Sequence, residues 1–216
     1  MYESPKSGRI TNLAKLVIIA IAVAAFMGCQ REDSPFKPVP DPSLSSIDAK
    51  LIARIPKFDN APREHRYEIP DPTGENPGTI VVDINDNFLY FVMPNRKAIR
   101  YGISTGAEAY GWTGIARIAR KSEWPRWSPP ASMVKRSPHL QSISRAGGMK
   151  GGPDNPLGAR ALYLYQGNKD TLYRIHGTNE PDKIGLSVSS GCIRMRNIDV
   201  VDLYRRAKLD GKVIVK

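Results

Sequence analysis

Two residues in this 216-residue chain can do covalent chemistry together: His176 and Cys192, the latter being the sole cysteine after Cys29. A thiol attacks carbonyl carbon as its thiolate, and an imidazole within hydrogen-bond reach is the commonest group to take its proton. The run Leu172–Ile175 reads as a buried strand that ends at His176, and Gly177 lets the chain turn away and leave the imidazole at a strand edge. Ser189, Ser190 and Gly191, directly before Cys192, are small. Such a stretch brings backbone N–H groups close to an attacked carbonyl, as an oxyanion site requires. The pattern points to acyl transfer through a thioester. For a His or a Cys met singly, a packed structural residue is the ordinary reading.

The spacing extends beyond the pair. His176-Gly177-Thr178, then Gly185, then Ser189-Ser190-Gly191-Cys192-Ile193-Arg194-Met195 resembles the two-part signature of the L,D-transpeptidases of bacterial cell walls, the YkuD family. The resemblance runs upstream through Gly152–Gly158 and Glu123–Met133 to Thr79–Val82, roughly the last two thirds of the chain. Some family members carry His where this chain has Ser190, so His176 is the histidine the motif offers as base.

The resemblance implies a peptidoglycan L,D-transpeptidase. Cys192 attacks a donor stem peptide, terminal D-Ala leaves, and an acceptor amine resolves the thioester, giving a 3-3 crosslink or the attachment of an envelope protein. In the implied roles His176 is the base and the Gly177 carbonyl orients its ring. Gly191 and Cys192 offer N–H groups to the oxyanion, Arg194 contacts the substrate carboxylate, and Ser189 and Ser190 support this shell. Carbapenems are implied as acylating agents. Two alternatives stay open: an L,D-carboxypeptidase, in which water resolves the thioester, and a non-catalytic peptidoglycan-binding envelope lipoprotein. No cofactor is implied, and one Cys with one well-placed His is too small a ligand set for a metal.

The elements that must carry these residues read as mostly β: a YkuD-like sandwich or partly open barrel with a short helix after Cys192. Thr79–Ile84 and Phe88–Met93 flank Asn85-Asp86-Asn87 as a hairpin. Asp83-x-Asn85-x-Asn87 begins like a calcium loop but has Phe88 at the sixth position, where such loops need Gly. Ala98–Thr105, Trp112–Ala119, Ala161–Tyr165 and Lys212–Val215 continue the strand pattern. Two Trp and three Pro in Trp124–Pro130 form a rigid loop that either walls a groove or covers the sheet. Gly147–Gly152 lacks the Lys-Ser/Thr pair of a phosphate loop and reads as a tight or mobile turn. After Cys192, Asn197 as N-cap, Asp199 and Asp202 early, and Arg205, Arg206 and Lys208 late predict a helix in register with its dipole.

The formal net charge is +11. Lys and Arg are scattered with no nucleic-acid motif, so an anionic envelope polymer or membrane surface is the expected partner rather than nucleic acid. Residues 1–28 read as a signal or anchor segment: Lys6, Arg9 and Lys15 precede an uncharged run, Leu16–Met27, that is short for a bilayer span. Cys29 stands where a lipoprotein peptidase would cut and lipid would be attached. Residues 29–77, rich in Pro, Ser and charge, read as a linker, with a short helix near Ser45–Ile55; residues 78–216 read as the catalytic domain. His65 in the linker and His139 in a polar loop read as structural or solvated. The expected location is the periplasm or cell envelope, tethered to a membrane.

Overall fold

The computed structural model of the chain describes Met1 and residues 36–106, 112–187 and 192–216. The leader, Cys29, Ser189, Ser190 and Gly191 lie outside the described residues. Alternating β-branched and aromatic runs become the strands β1 (Lys37–Pro38), β2 (Tyr67–Pro70), β3 (Ile80–Asp83), β4 (Phe88–Met93), β5 (Lys97–Ser104), β6 (Gly114–Glu123), β7 (Arg160–Gln166), β8 (Lys169–His176), β9 (Ile193–Met195) and β10 (Lys212–Val215). Among the described residues stand four α-helices: α1 (Ser46–Ile52), α2 (Ala131–Arg136), α3 (Gln141–Arg145) and α4 (Asn197–Arg206).

The sheet runs β1-β2-β5-β4-β3-β10-β6-β7-β8-β9, and β9 also pairs with β5. That last pairing closes a circuit from β5 round to β9, with β2 and β1 added outside it. The closure is short, resting on Ile103↔Met195 and Ser104↔Arg194. The mostly β expectation thus takes the form of a barrel. Its interior is filled by Ile80, Leu89, Ile99, Tyr101, Ile118, Leu162, Leu164, Ile175, Ile193 and Met195, all fully buried. Each such side chain contributes about 1.5–3 kcal/mol. The Tyr101 hydroxyl is satisfied by donating to Asp202 Oδ2 at 2.7 Å.

The hairpin turns as the sequence indicates. Asp83 Oδ1 accepts from the N–H groups of Asn85 and Asp86, and Asn87 takes φ 57°, a left-handed conformation that Asn tolerates. Leu172 departs from its reading as a buried strand residue. It adopts φ 64° and is 73% exposed, where β8 slips its register against β7.

Helix α4 starts one residue earlier than the N-cap reading places it. Arg196 is the cap residue and Asn197 is already helical, its side chain engaged elsewhere. The carboxylates of α4 are also more than dipole partners. Asp199 is fully buried and accepts from Arg66 Nη1 (2.7 Å) and Arg196 Nε (2.6 Å), while Asp202 accepts from Tyr101 and Arg206. Burial raises the Asp199 carboxyl above the usual range, against the pull of Arg196 and Arg66.

Residues 36–77 correct the linker reading for that span: they belong to the same compact unit as the barrel, Pro35–Lys216. Strand β2 pairs with β5 over Tyr67–Pro70, and β1 pairs with β2. Helix α1, capped by Ser45 Oγ accepting from the Asp48 N–H at 3.1 Å, plants Asp48 in the body. There Asp48 receives both Arg160 guanidinium nitrogens (2.9 and 2.7 Å) and the Trp124 indole N–H (2.9 Å). Burial pushes the Asp48 carboxyl up, but these hydrogen bonds and the Arg160 charge outweigh it and bring it to about 2. The Pro and charge content of the segment hid a tether formed by single buried polar contacts.

Replacing Asp48 by Ala leaves the buried Arg160 charge with only the exposed Glu123 carboxylate, 3.5 Å away, and should cost about 3–5 kcal/mol. Urea unfolding of the variant measures it; a loss under 1 kcal/mol would show that the α1 contact does not hold the fold. Because the Asp48 carboxyl is depressed in the folded state, its contribution is complete above pH 3.8 and fades as pH falls through about 2.

Candidate active site

The site rests on the one parallel pairing that joins the two sequence motifs. Strands β8 and β9 align Ile175 with Ile193 and His176 with Arg194. Alternation sends Ile175 and Ile193 into the barrel core and places His176 and Arg194 on the other face. One step back along the register, Cys192 stands opposite Arg174, whose backbone N–H hydrogen-bonds the thiol. Arg174, His176, Cys192 and Arg194 therefore share a face, although sixteen residues separate the two motifs.

His176 is 3% exposed, and its Nδ1 lies 2.6 Å from the Gly177 carbonyl oxygen. A carbonyl only accepts, so Nδ1 carries the proton and the neutral ring keeps its Nε2 lone pair. Burial lowers the imidazole to about 4; the Gly177 carbonyl opposes this, while the Arg194 and Arg174 charges add to it. Burial raises the Cys192 thiol, opposed by the Arg174 N–H and by the same two guanidinium charges. At neutral pH both groups rest uncharged.

Asn197 holds the turn after His176. Its Oδ1 accepts from the Ala159 N–H at 2.8 Å, and its Nδ2 donates to the Thr178 carbonyl. The fit leaves no room for side chains. A Cβ on Gly177 would lie 2.2 Å from Asn197 Oδ1, and one on Gly158, at φ 59°, would lie 2.5 Å from the Thr178 nitrogen.

A cavity of about 760 Å³ opens over this face, lined by His176, Cys192, Arg194, Glu180, Leu172 and Tyr173 and by residues of the segment from Trp127 to Leu157. Its size suits a peptide-sized ligand. That segment carries α2 and α3, which the sequence reading did not foresee because each is shorter than two helical turns. Trp127 and Pro130 line the cavity, whereas the Trp124 indole turns away to Asp48, so the two Trp divide between the wall and cover readings. The Gly147–Gly152 loop is a close approach: Trp127 and Met149 exchange backbone hydrogen bonds of 2.9 and 2.7 Å, and a Cβ on Gly151 would sit 2.0 Å from the Trp124 carbonyl oxygen. Asn155, fully buried, ties the loop down by donating to the carbonyls of Pro125 and Lys150.

Of the residues singled out in the sequence, Cys192, His176, Gly177 and Arg194 come together. His139 lies on the cavity wall, and His65 bonds the Asn60 carbonyl at 3.1 Å, away from it. Three contributors went unread. Arg174, chelated by Asp170 at 2.7 and 2.8 Å, lies two residues before His176, and strand alternation alone signals its shared face. Asn197 was assigned to a helix cap. Glu180 accepts from Arg194 at 2.9 Å inside the cavity. Among the described residues, no cluster of His, Cys, Asp and Glu is arranged to hold a metal ion.

Asn197→Ala strips the Ala159 N–H and the Thr178 carbonyl of their partner and should cost about 2–6 kcal/mol, the sum for two buried polar groups left unpaired. Thermal unfolding reads the loss; a change under 1 kcal/mol would mean that the turn holds without Asn197.

The profile of the YkuD L,D-transpeptidase catalytic domain matches residues 77–215. Over 137 residues the chain is 33% identical to the Probable L,D-transpeptidase ErfK/SrfK of Escherichia coli (strain K12), covering 62% of this chain and 42% of that one. Over 108 residues it is 39% identical to the Probable L,D-transpeptidase YbiS of the same strain, covering 47% and 31%. The chain thus spans less than half the length of these curated relatives. Among solved structures it is similar, at 47% identity and a TM-score of 0.50, to a Probable carnitine operon oxidoreductase from Brucella melitensis, covering 78% of this chain and 99% of that one. The oxidoreductase name stays with the Brucella protein. On the match to more than half of its length, the chain belongs to the L,D-transpeptidase catalytic domain family, YkuD.

Proposed function

We propose that this chain is a peptidoglycan L,D-transpeptidase with Cys192 as nucleophile and His176 as general base. The observation that carries the reading is the β8–β9 register, which puts the imidazole, its Nδ1 fixed on the Gly177 carbonyl, on the same cavity face as the thiol and a guanidinium. The Cys192 sulfur attacks the carbonyl joining the L-configured centre of the donor stem peptide to its terminal D-Ala, and the thiol proton passes to His176 Nε2. The tetrahedral oxyanion takes N–H groups from Cys192 and Gly191, with Ser189 and Ser190 supporting that shell. As the C–N bond breaks, the imidazolium returns the proton to the departing D-Ala amine, leaving a thioester. Arg194 binds the substrate carboxylate. An acceptor amine, from a second stem peptide or an envelope protein, then attacks the thioester and gives up its proton through His176.

A neutral resting pair makes this general-base catalysis and not attack by a preformed thiolate–imidazolium pair. The acylation rate should hold level from about pH 5 to 8, since the lowered imidazole stays unprotonated down to about 4. In the ligand-free protein, iodoacetamide alkylation of Cys192 should instead rise with pH above 8.5, the ordinary thiol value. Flat, fast alkylation at pH 5–7 would establish an ion pair and overturn this assignment. The same depression makes stability complete above pH 6.5 and erodes it as pH falls through about 4.

Mass spectrometry after incubation with disaccharide tetrapeptide decides the activity. The acyl-enzyme mass, and a carbapenem adduct, should map to the peptide containing Cys192, and a crosslinked product should follow. Cys192→Ser should slow turnover by more than a thousandfold while the protein stays folded. Free disaccharide tripeptide without crosslinks marks a carboxypeptidase. Absence of any adduct leaves a wall-binding protein.

We further propose that the chain acts in the periplasm or cell envelope, cleaved after its leader and tethered to a membrane through lipid on Cys29. Intact mass of envelope-extracted protein should equal the chain from Cys29 plus lipid. Cleavage without lipid removes the tether, and an unprocessed cytoplasmic chain removes the location.

A further inference from the structure

Arg194 already holds a carboxylate. Glu180 Oε2 accepts from Arg194 Nη1 at 2.9 Å, and Glu180 is the one acidic side chain among the described residues lining the cavity. The two partners differ in freedom: the Arg194 side chain is 19% exposed and the Glu180 side chain 49%. The backbone of Glu180 is pinned, its N–H donating to Thr178 Oγ1 at 2.9 Å and its carbonyl accepting from the Lys183 N–H at 3.2 Å, with Pro181 between. The carboxylate is thus tethered within reach of Arg194, while its own half-exposed side chain can swing to solvent.

We propose that Glu180 is a positioning residue for Arg194, a built-in carboxylate that holds the guanidinium in the ligand-free protein and is exchanged for the carboxylate of the donor peptide. The inference rests on the proposed role of Arg194 and deepens it. Exchange of one carboxylate for another keeps the guanidinium paired throughout, so the half-buried charge is never left bare. Arg194 does the selecting. A donor whose carboxylate is amidated gains nothing from the guanidinium and leaves Glu180 in place, whereas a charged donor displaces it at an affinity reduced by the fraction of molecules in which Glu180 is engaged. For an ion pair this exposed the reduction is about twofold to sixfold.

Calorimetric titration of Cys192→Ala protein with disaccharide tetrapeptide, and with the same peptide amidated at its terminal carboxylate, measures binding without turnover. Adding Glu180→Gln should tighten the carboxylate donor about twofold to sixfold and leave the amidated donor unchanged. With Cys192 intact, Glu180→Gln should lower KM by that factor and hold kcat within about twofold, a split that a merely structural role would not produce. Arg194→Ala, checked for folding by circular dichroism, should weaken the carboxylate donor alone. If Arg194→Ala weakens binding and Glu180→Gln leaves it unchanged or weakens it, the exchange is wrong while the Arg194 role stands. If Arg194→Ala leaves binding unchanged, the Arg194 role falls and the exchange falls with it.

Discussion

The site depends on a parallel pairing of two short strand ends, Ile175–His176 with Ile193–Arg194. Parallel strands cannot be joined by a tight turn, and the chain must leave β8, travel and come back in the same direction. That return path carries Thr178, Glu180 and Gly185, so the connection serves both topology and cavity. The pairing is strengthened from below by two isoleucines fully buried in the barrel. From the side it is held by Asn197, which joins the turn after His176 to Gly158-Ala159. A slip of one residue in this register would turn Cys192 toward the core and Ile193 toward solvent, and burial of the isoleucines opposes that slip.

The electrostatics follow from the same placement. Because the strand pair puts two arginines beside the buried His176 and the half-buried Cys192, both guanidiniums favour thiolate and both disfavour imidazolium. Burial opposes either charge, so the neutral pair is the low-energy state. In the proposed mechanism the compensating charge arrives with the reaction itself: an oxyanion forming as the imidazolium forms. On that proposal the site is quiet toward small thiol reagents and active only when a carbonyl is in place.

Much of this was legible in the residues. The hairpin at Asn85–Asn87 and the strands that flank Gly167–Lys169 carry local signals, because turn residues and β-branched runs act over a few positions. The N-terminal span was misread for an equally physical reason. Residues 36–77 hold on through Asp48, Arg66 and a strand added at the sheet edge, and a single buried ion pair leaves no periodicity in a sequence. Helices α2 and α3 escaped for the same reason: each is too short to show an apolar stripe. Asn197 illustrates the converse error, since an Asn before a helix is the expected cap, but this one is used across 38 residues to hold Ala159.

The cavity wall built by those unforeseen helices shapes what the site can accept. Between Trp124 and Pro153 the sequence has five Lys or Arg and no Asp or Glu, and this stretch supplies Arg136 and His139 to the lining. The opposite wall offers Arg194, already matched by Glu180. On the proposed reading, an anionic donor is drawn toward this basic segment and meets a carboxylate competitor at Arg194. Attraction at the mouth combined with competition at the anchor favours rapid entry over tight ground-state binding. Binding energy is then kept for the step in which the oxyanion appears, where it lowers the barrier instead of deepening the well.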